Sequence, residues 1–402
     1  MDKELNTGNG TPETTHPKTI ASGATVLQIL PALETGGAER GTIDVAASVI
    51  QAGGRSIVVS SGGVMVHELT RAGVEHIILP VDSKNPLVMR ANIDRLVQII
   101  RNENVDIVHA RSRAPAWSAL AAARKTGRHF VTTFHGTYKH GNAIRRWYNS
   151  IMTRGQRVIA ISDFIAGHVR QVYGVPVSKI RVIHRGVDIG RFDPSRVSQE
   201  RMIKLAEKWR LPDGVPVIML PGRLTKWKGQ QVFIDAIKIL DRQDIQCLIV
   251  GSDQGREGYR RKLLSAIESA GLNRLVHVID NCDDMPAAYM LTDVVVSAST
   301  EPEAFGRVVA EAQALGRPVI ATDHGGARET VIEGETGWLT PPGDAAALAA
   351  TINTVLEQPP TARGTYAARA VAHIRDNFTK EGMCAKTIAV YDEVLAEPPI
   401  SR

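Results

Sequence analysis

Residues 297–331 read Ser-Ala-Ser-Thr-Glu-Pro-Glu-Ala-Phe-Gly-Arg-Val-Val-Ala-Glu-Ala-Gln-Ala-Leu-Gly-Arg-Pro-Val-Ile-Ala-Thr-Asp-His-Gly-Gly-Ala-Arg-Glu-Thr-Val. The order is strand end, acidic loop, helix, the short strand Pro318–Thr322, then a glycine turn opening another helix. Glu303 lies in the loop and Glu311 within the helix, with seven residues between them. Two carboxylates beside a helix start suit a polyhydroxylated ligand, and the helix end attracts phosphate. Together they point to a sugar nucleotide.

Outward from this stretch the same alternation recurs. Short apolar runs at Thr25–Leu30, Ser56–Ser60, His76–Leu79, Ile107–Ala110, Phe130–Phe134, Arg157–Ile161 and Ile180–Ile183 read as strands. Helical patterns fall between them, over Arg40–Ala52, Val66–Ala72, Asn92–Glu103, Ala114–Lys125, Ile144–Arg154 and Ser162–Val172. The second half repeats the plan from Val217 to Leu395. The pattern predicts an α/β protein with two Rossmann-like domains facing across a cleft. A polar segment within Asp193–Pro216 marks the join. The expected division is a disordered tail over 1–22, an N-terminal Rossmann-like domain over 23–195, a C-terminal Rossmann-like domain over 196–377, and a C-terminal helix and tail over 378–402. The C-terminal helix is expected to cross back to the first domain.

The chain has 402 residues, a length suited to two domains rather than one core. Aromatic residues make up 5%, too few for large base-stacking surfaces, so nucleic acid is not an expected partner. The net charge of +6 permits phosphorylated ligands or anionic headgroups, and equally describes a mildly basic protein. Cys247, Cys282 and Cys384 are scattered and fit no zinc or disulfide pattern, which suggests a reducing cytosol. No signal peptide and no run of about 18 apolar residues is apparent. A cytoplasmic location is expected.

Several motifs sit at strand ends. Gly222-Arg-Leu-Thr-Lys-Trp-Lys-Gly229 offers Arg223 and Lys228 to a diphosphate, or else forms a solvated basic loop. Gly36-Gly37 follows the first strand, where backbone amides can face a cleft or make a tight turn. His135 follows a strand directly and suits a ligand hydroxyl or a proton transfer; an ordinary loop histidine is the other reading. His109 reads equally well as structural. Asp283-Asp284 precedes a helix and suits N-capping. No His, Glu or Cys spacing makes a metal site. The basic, partly aromatic stretch Tyr138–Arg154 suits either anionic headgroups or a helix packed on its sheet.

These residues together resemble the retaining glycosyltransferases of family 4, group 1, with the GT-B fold. The resemblance covers nearly all of 25–395. It rests on Gly36-Gly37-Ala38-Glu39, the Thr-Phe-His-Gly stretch ending at Gly136, Val158–Ser162 and Ile183-His-Arg-Gly-Val-Asp188. It continues through Gly222-Arg223 with Lys228-Gly229, Glu303-Ala-Phe-Gly with Glu311, and Gly325-Gly326 with Glu329. The resemblance implies that residues 23–195 are the acceptor side and 196–377 the donor side. It implies that Arg223 and Lys228 hold a donor diphosphate, Glu303 meets sugar hydroxyls and Glu311 meets ribose hydroxyls. Gly37, Phe305 and Gly306 would approach the donor, and His135 the sugar. His135, Glu303, Arg223 and Lys228 form the expected catalytic set. The implied activity is NDP-sugar-dependent hexosyl transfer with retention, with no cofactor and no metal. The acceptor would be a glycan or lipid-linked molecule of envelope polysaccharide or lipopolysaccharide synthesis. An anionic membrane surface, at the inner face of the plasma membrane, is a candidate partner. A sugar-nucleotide-binding regulatory protein and an epimerase of the same shape are the rivals. Two positions depart from the family pattern: Arg185 stands where Asn is frequent, and Ala304 where Gly is frequent.

Overall fold

The computed structural model describes residues 19–401. In the first half the strands are β1 (Thr25–Ile29), β2 (Arg55–Ser60), β3 (Glu75–Ile78), β4 (Ile107–Ala110), β5 (His129–Phe134), β6 (Arg157–Ala160) and β7 (Ile180–Val182). The helices between them are α1 (Gly37–Gln51), α2 (Val66–Arg71), α3 (Pro86–Asn102), α4 (Arg113–Thr126), α5 (Ala143–Asn149) and α6 (Asp163–Tyr173). All seven strands pair in parallel, in the order β3-β2-β1-β4-β5-β6-β7. Helix α7 (Gln199–Trp209) then leads to the second half.

There the strands are β8 (Val217–Pro221), β9 (Gln246–Val250), β10 (Val276–Ile279), β11 (Val294–Ser297), β12 (Val319–Thr322) and β13 (Trp338–Thr340). The helices are α8 (Gln230–Leu240), α9 (Glu257–Ser269), α10 (Met285–Met290), α11 (Arg307–Ala314), α12 (Ala327–Thr330), α13 (Ala345–Leu356), α14 (Pro360–Asn377) and α15 (Lys380–Leu395). The order β10-β9-β8-β11-β12-β13 repeats the first sheet's winding. The order in which strands are added therefore reverses once in each sheet, between β1 and β4 and between β8 and β11. Ligands of such sheets lie outside the carboxyl ends of strands at that reversal.

The expected two-sheet α/β architecture is present. Apolar residues explain it: the central strands β1, β4, β5, β8 and β11 are buried throughout, as fully covered parallel strands must be.

Helix α15 crosses back as expected. Its Tyr391, Val394 and Met383 share a core with Val26 and Ile107 of the first sheet and Val45 of α1. Burial of each such side chain contributes on the order of 2 kcal/mol. Glu393 accepts hydrogen bonds from Arg157 at 2.8 Å and Arg181 at 3.0 Å. The Tyr391 hydroxyl lies 2.7 Å from His109 Nδ1, and Thr133 Oγ1 lies 2.7 Å from its Nε2. His109 is thus a satisfied core histidine.

Some local expectations needed correction. Helix α3 starts at Pro86 rather than Asn92, because Asn85 Oδ1 accepts the Leu87 amide and proline suits the first turn. The stretch 144–154 is a short α5 followed by a separate 3-10 turn, Ser150–Thr153. The polar join contains the amphipathic α7, capped by Ser198 and buried through Leu205 and Trp209. Strand β13 has no counterpart in the sequence pattern. Residues 1–18 of the expected tail lie outside the described residues. Residues 19–22 instead form a hydrogen-bonded turn, with Ile20 buried and its amide 2.7 Å from Asp392.

Candidate active site

The loop after β8 reaches toward the end of β11. Gly229 closes it at φ +74°, and a Cβ there would lie 1.7 Å from the Ala298 carbonyl oxygen. No side chain fits such an approach. The Thr300 amide also donates to the Trp227 carbonyl at 2.7 Å. This stitching brings Lys228 Nζ to 2.7 Å from Glu303 Oε1.

Glu303 sits in the loop before α11, within reach of that cation. Ser299 Oγ and Ser297 Oγ donate to the same Oε1, at 2.5 Å and 3.3 Å. Burial pushes the Glu303 carboxyl upward, but Lys228 and the two serines outweigh it, and the group is held below the ordinary glutamate range. It stays ionised at neutral pH. Its Oε2 has no partner among the described residues and is free to accept from a ligand hydroxyl.

Glu311 is 8% exposed, one turn into α11. Arg307 donates to its Oε1 at 2.7 Å and the Tyr289 hydroxyl to its Oε2 at 3.2 Å. A buried carboxylate needs such partners. Arg307 also crosses to the other half, where its Cδ would lie 3.3 Å from a Cβ placed on Gly37.

His135 extends from the end of β5. Arg185 Nη2 donates to its Nδ1. Arginine only donates, so Nδ1 accepts and the proton resides on Nε2. Burial, followed by the charges of Arg185 and Arg111, holds His135 well below the usual histidine range. It is neutral, and its Nε2–H has no partner among the described residues. This is a hydrogen-bond donor for a ligand, with Nδ1 already committed.

Gly37, His135, Arg223, Lys228, Glu303, Phe305, Gly306 and Glu311 all line one cleft of about 620 Å³ between the two sheets. Asn281 and Cys282 line it from the end of β10. Asp284 is drawn away, capping α10 through the Ala287 amide and pairing with Arg201 at 2.6 Å. His324 is turned onto the Ser299 carbonyl at 2.9 Å. Arg307, Tyr289, Ser297 and Ser299 were not singled out from the sequence. Only Arg307 carried a signal, as the partner four residues before Glu311.

Asp163, His184 and Glu329 place one ligand atom each within 4.8 Å of one another. Glu329 accepts the Asp163 and Phe164 amides at 2.8 Å each and lies 2.7 Å from His184 Nε2. These bonds join α12 of the second half to the N-terminus of α6 in the first, an interdomain tie that already occupies both oxygens. No helix among the described residues is long and apolar enough to cross a membrane.

The fold and cleft are those of a GT-B glycosyltransferase. Residues 35–191 match the model described as Glycosyltransferase Family 4, and residues 202–370 the model described as Glycosyl transferases group 1. A crystal structure of a glycosyltransferase from Rickettsia africae ESF-5 is 39% identical, with a TM-score of 0.86 over 93% of this chain and 99% of that one. Anabaena Alr3699/HepE in complex with UDP-glucose is 26% identical, with a TM-score of 0.81 over 92% and 99%. Among curated relatives, the D-inositol 3-phosphate glycosyltransferase of Arthrobacter sp. strain FB24 is 28% identical over 75% of this chain and 74% of its own length. The chain belongs to the group 1, family 4 glycosyltransferases.

Proposed function

We propose that the protein transfers a hexose from a nucleoside-diphosphate donor to a glycan or lipid-linked acceptor, with retention at the anomeric carbon. The observation that carries this reading is the single cleft in which Arg223 and Lys228 stand beside Glu303 and Glu311, opposite Gly37 and His135. The solved complex of the similar Anabaena protein with UDP-glucose supports a donor of this class.

In this reading Arg223, Lys228 and the start of α11 meet the negative charge that develops on the departing diphosphate. Glu303 Oε2 and His135 Nε2–H orient the sugar. The bond from the anomeric carbon to the phosphate oxygen breaks as the bond to the acceptor oxygen forms on the same face. The acceptor's proton passes to the departing phosphate oxygen. The protein's own cations supply the charge stabilisation, so the reading uses no metal and no cofactor. Domain limits near 195 and 377 are proposed to separate acceptor-side and donor-side halves, with 378–402 returning to the first.

The acceptor side is proposed to rest on an anionic membrane surface through α5, as a peripheral contact at the inner face of the plasma membrane. Ile144 and Trp147 are 77% and 62% exposed there, and Lys84, Arg113, Lys139 and Arg145 surround the hollow beside them. Apolar anchors ringed by cations suit such a surface. Co-sedimentation with vesicles, with and without anionic lipid, tests it; binding independent of charge and salt speaks against it. The transfer reading is tested by nucleoside-diphosphate release over a donor panel, with the anomeric configuration of the product read by NMR. Absence of turnover with every donor and acceptor, or an inverted product, overturns it.

A further inference from the structure

On the first half's side of the cleft Arg185 lines the wall together with Glu39, and Arg111 stands behind it; a donor diphosphate held by Arg223 and Lys228 uses neither Arg185 nor Arg111. Arg185, three residues beyond β7, is 6% exposed, and Arg111, directly after β4, is 3% exposed. Neither forms an ion pair among the described residues. Arg185 spends one nitrogen on His135 Nδ1. Arg111 Nε is buried with no partner, and no side-chain hydrogen bond of Arg111 is formed among the described residues.

Buried guanidinium groups are ordinarily paired. Here two stand together instead, and room has been made for them. Gly41 lies on α1 where a Cβ would sit 2.1 Å from Arg185 Nη1 and 3.3 Å from Arg111 Nη2. Burial, then the charges of Arg111 and Arg307, pull Arg185 down to about 9 against the opposing pull of Asp44 and Glu39, neither of which forms an ion pair with it among the described residues, so it remains a cation at neutral pH. Arg307 approaches from the second half but is already committed to Glu311. Arg185, like His135, lines the cleft.

Resting on the glycosyl-transfer reading, we propose that Arg185, backed by Arg111, forms a second anion site that receives a carboxylate or phosphate group of the substrate pair other than the donor diphosphate. The planar fork of arginine matches either group in two parallel hydrogen bonds. Arg185 is bonded to His135, so the anionic group lies beside the sugar being transferred. It belongs to a uronic-acid donor or to an acidic or phosphorylated acceptor.

Two arms separate these sources, each read by calorimetry on the full chain. The donor arm compares UDP-glucuronate with UDP-glucose and GDP-mannuronate with GDP-mannose. The acceptor arm compares glucose 6-phosphate and glucuronate with glucose, in the presence of the nucleoside diphosphate that binds. The expected result is an affinity advantage of at least about tenfold for the anionic member of one arm, the size expected of a charge-assisted pair. Arg185→Gln removes that advantage, and Arg185→Lys restores part of it. Circular dichroism and thermal unfolding establish that both variants fold. If Arg185→Gln unfolds, Gly41→Ala displaces the same guanidinium without changing the charge and must remove the same advantage. No advantage in either arm, or one that survives in a folded Arg185→Gln, overturns the site. A wild-type chain that binds no nucleoside diphosphate strikes the underlying transfer reading instead.

Discussion

Lys228 and Glu303 form an ion pair at 2.7 Å between residues 75 positions apart, with the two side chains only 12% and 14% exposed. The pair joins the loop after β8 to the loop before α11. Under the proposed function, a donor diphosphate reaching Lys228 would draw on an ammonium whose partner faces the sugar, coupling the two ends of the donor. Lys228→Ala is expected to raise KM for donor and lower kcat, together about a hundredfold in kcat/KM. It also leaves Glu303 buried without its cation. Glu303→Gln is expected to lower kcat by a similar order with less effect on nucleotide affinity. Nucleoside-diphosphate release kinetics on both variants check this; unchanged turnover in both removes the assignment.

The same pair sets an acid limit. Glu303 is held below the ordinary glutamate range, so the folded chain keeps the carboxylate ionised to lower pH than the unfolded chain. Its contribution to stability is present above the ordinary range and is lost as pH falls through the depressed value. Thermal unfolding of Glu303→Gln against wild type should show a shallower loss of Tm on acidification. Parallel curves contradict it.

Glu329 ties the two halves at the start of α6, where it accepts two backbone amides and meets His184. Charge-assisted bonds to a helix N-terminus are worth about 1–2 kcal/mol. Glu329→Ala is therefore expected to favour a more open arrangement, with a larger radius of gyration by small-angle scattering and a kcat/KM lower by about tenfold. Glu329→Gln keeps one carbonyl acceptor and should fall between. Identical scattering from all three proteins argues that other contacts hold the halves together.

What the sequence disclosed of this site follows from locality. Arg223, Lys228, Glu303 and Glu311 lie in strand–loop–helix junctions, where short-range pattern announces both the turn and the chemistry. Arg111 and Arg185 were different. One follows β4 and the other β7, and only the winding of the sheet places both beside Gly41. Nothing in the spacing of 41, 111 and 185 declares that meeting. Arg185 stood out only as a departure from a family pattern. Helix α7 was hidden because its apolar stripe is narrow, with Leu205 and Trp209 its buried residues. Strand β13 has three residues, too few to show a period.

Gly229 tests how closely the loop must approach β11. It combines φ +74° with a Cβ position 1.7 Å from a backbone oxygen, so neither a rotamer change nor a flexible neighbour relieves the clash. Gly229→Ala is expected to cost about 2–4 kcal/mol. The loop must shift, so donor affinity should fall as well. Gly214, also at positive φ but with open space around its Cβ position, is the control. Its alanine variant should lose only about 1 kcal/mol. Urea unfolding of both variants decides it, and equal losses contradict the close-approach argument.

Asp44 supplies the opposite pH signature. It lies on α1, one turn beyond Gly41, and burial pushes its carboxyl up to about 6 from an ordinary 3.8. Arg40, Lys380 and Arg307 draw it down, and Asp188 adds to the rise. The folded chain holds the Asp44 proton at pH values where the unfolded chain has released it. The stability this protonation gives is complete below an ordinary aspartate pKa and disappears as pH rises through about 6. Asp44→Asn keeps the hydrogen-bonding shape but cannot ionise, so it should not show that decline. Relative to wild type, the variant should gain stability between about pH 4 and 6, by at most about 3 kcal/mol, and hold the gain above. Chemical unfolding at half-unit pH steps measures the difference. A wild-type minus variant curve flat across this window would mean that Asp44 is ionised throughout, with the neighbouring cations outweighing its burial.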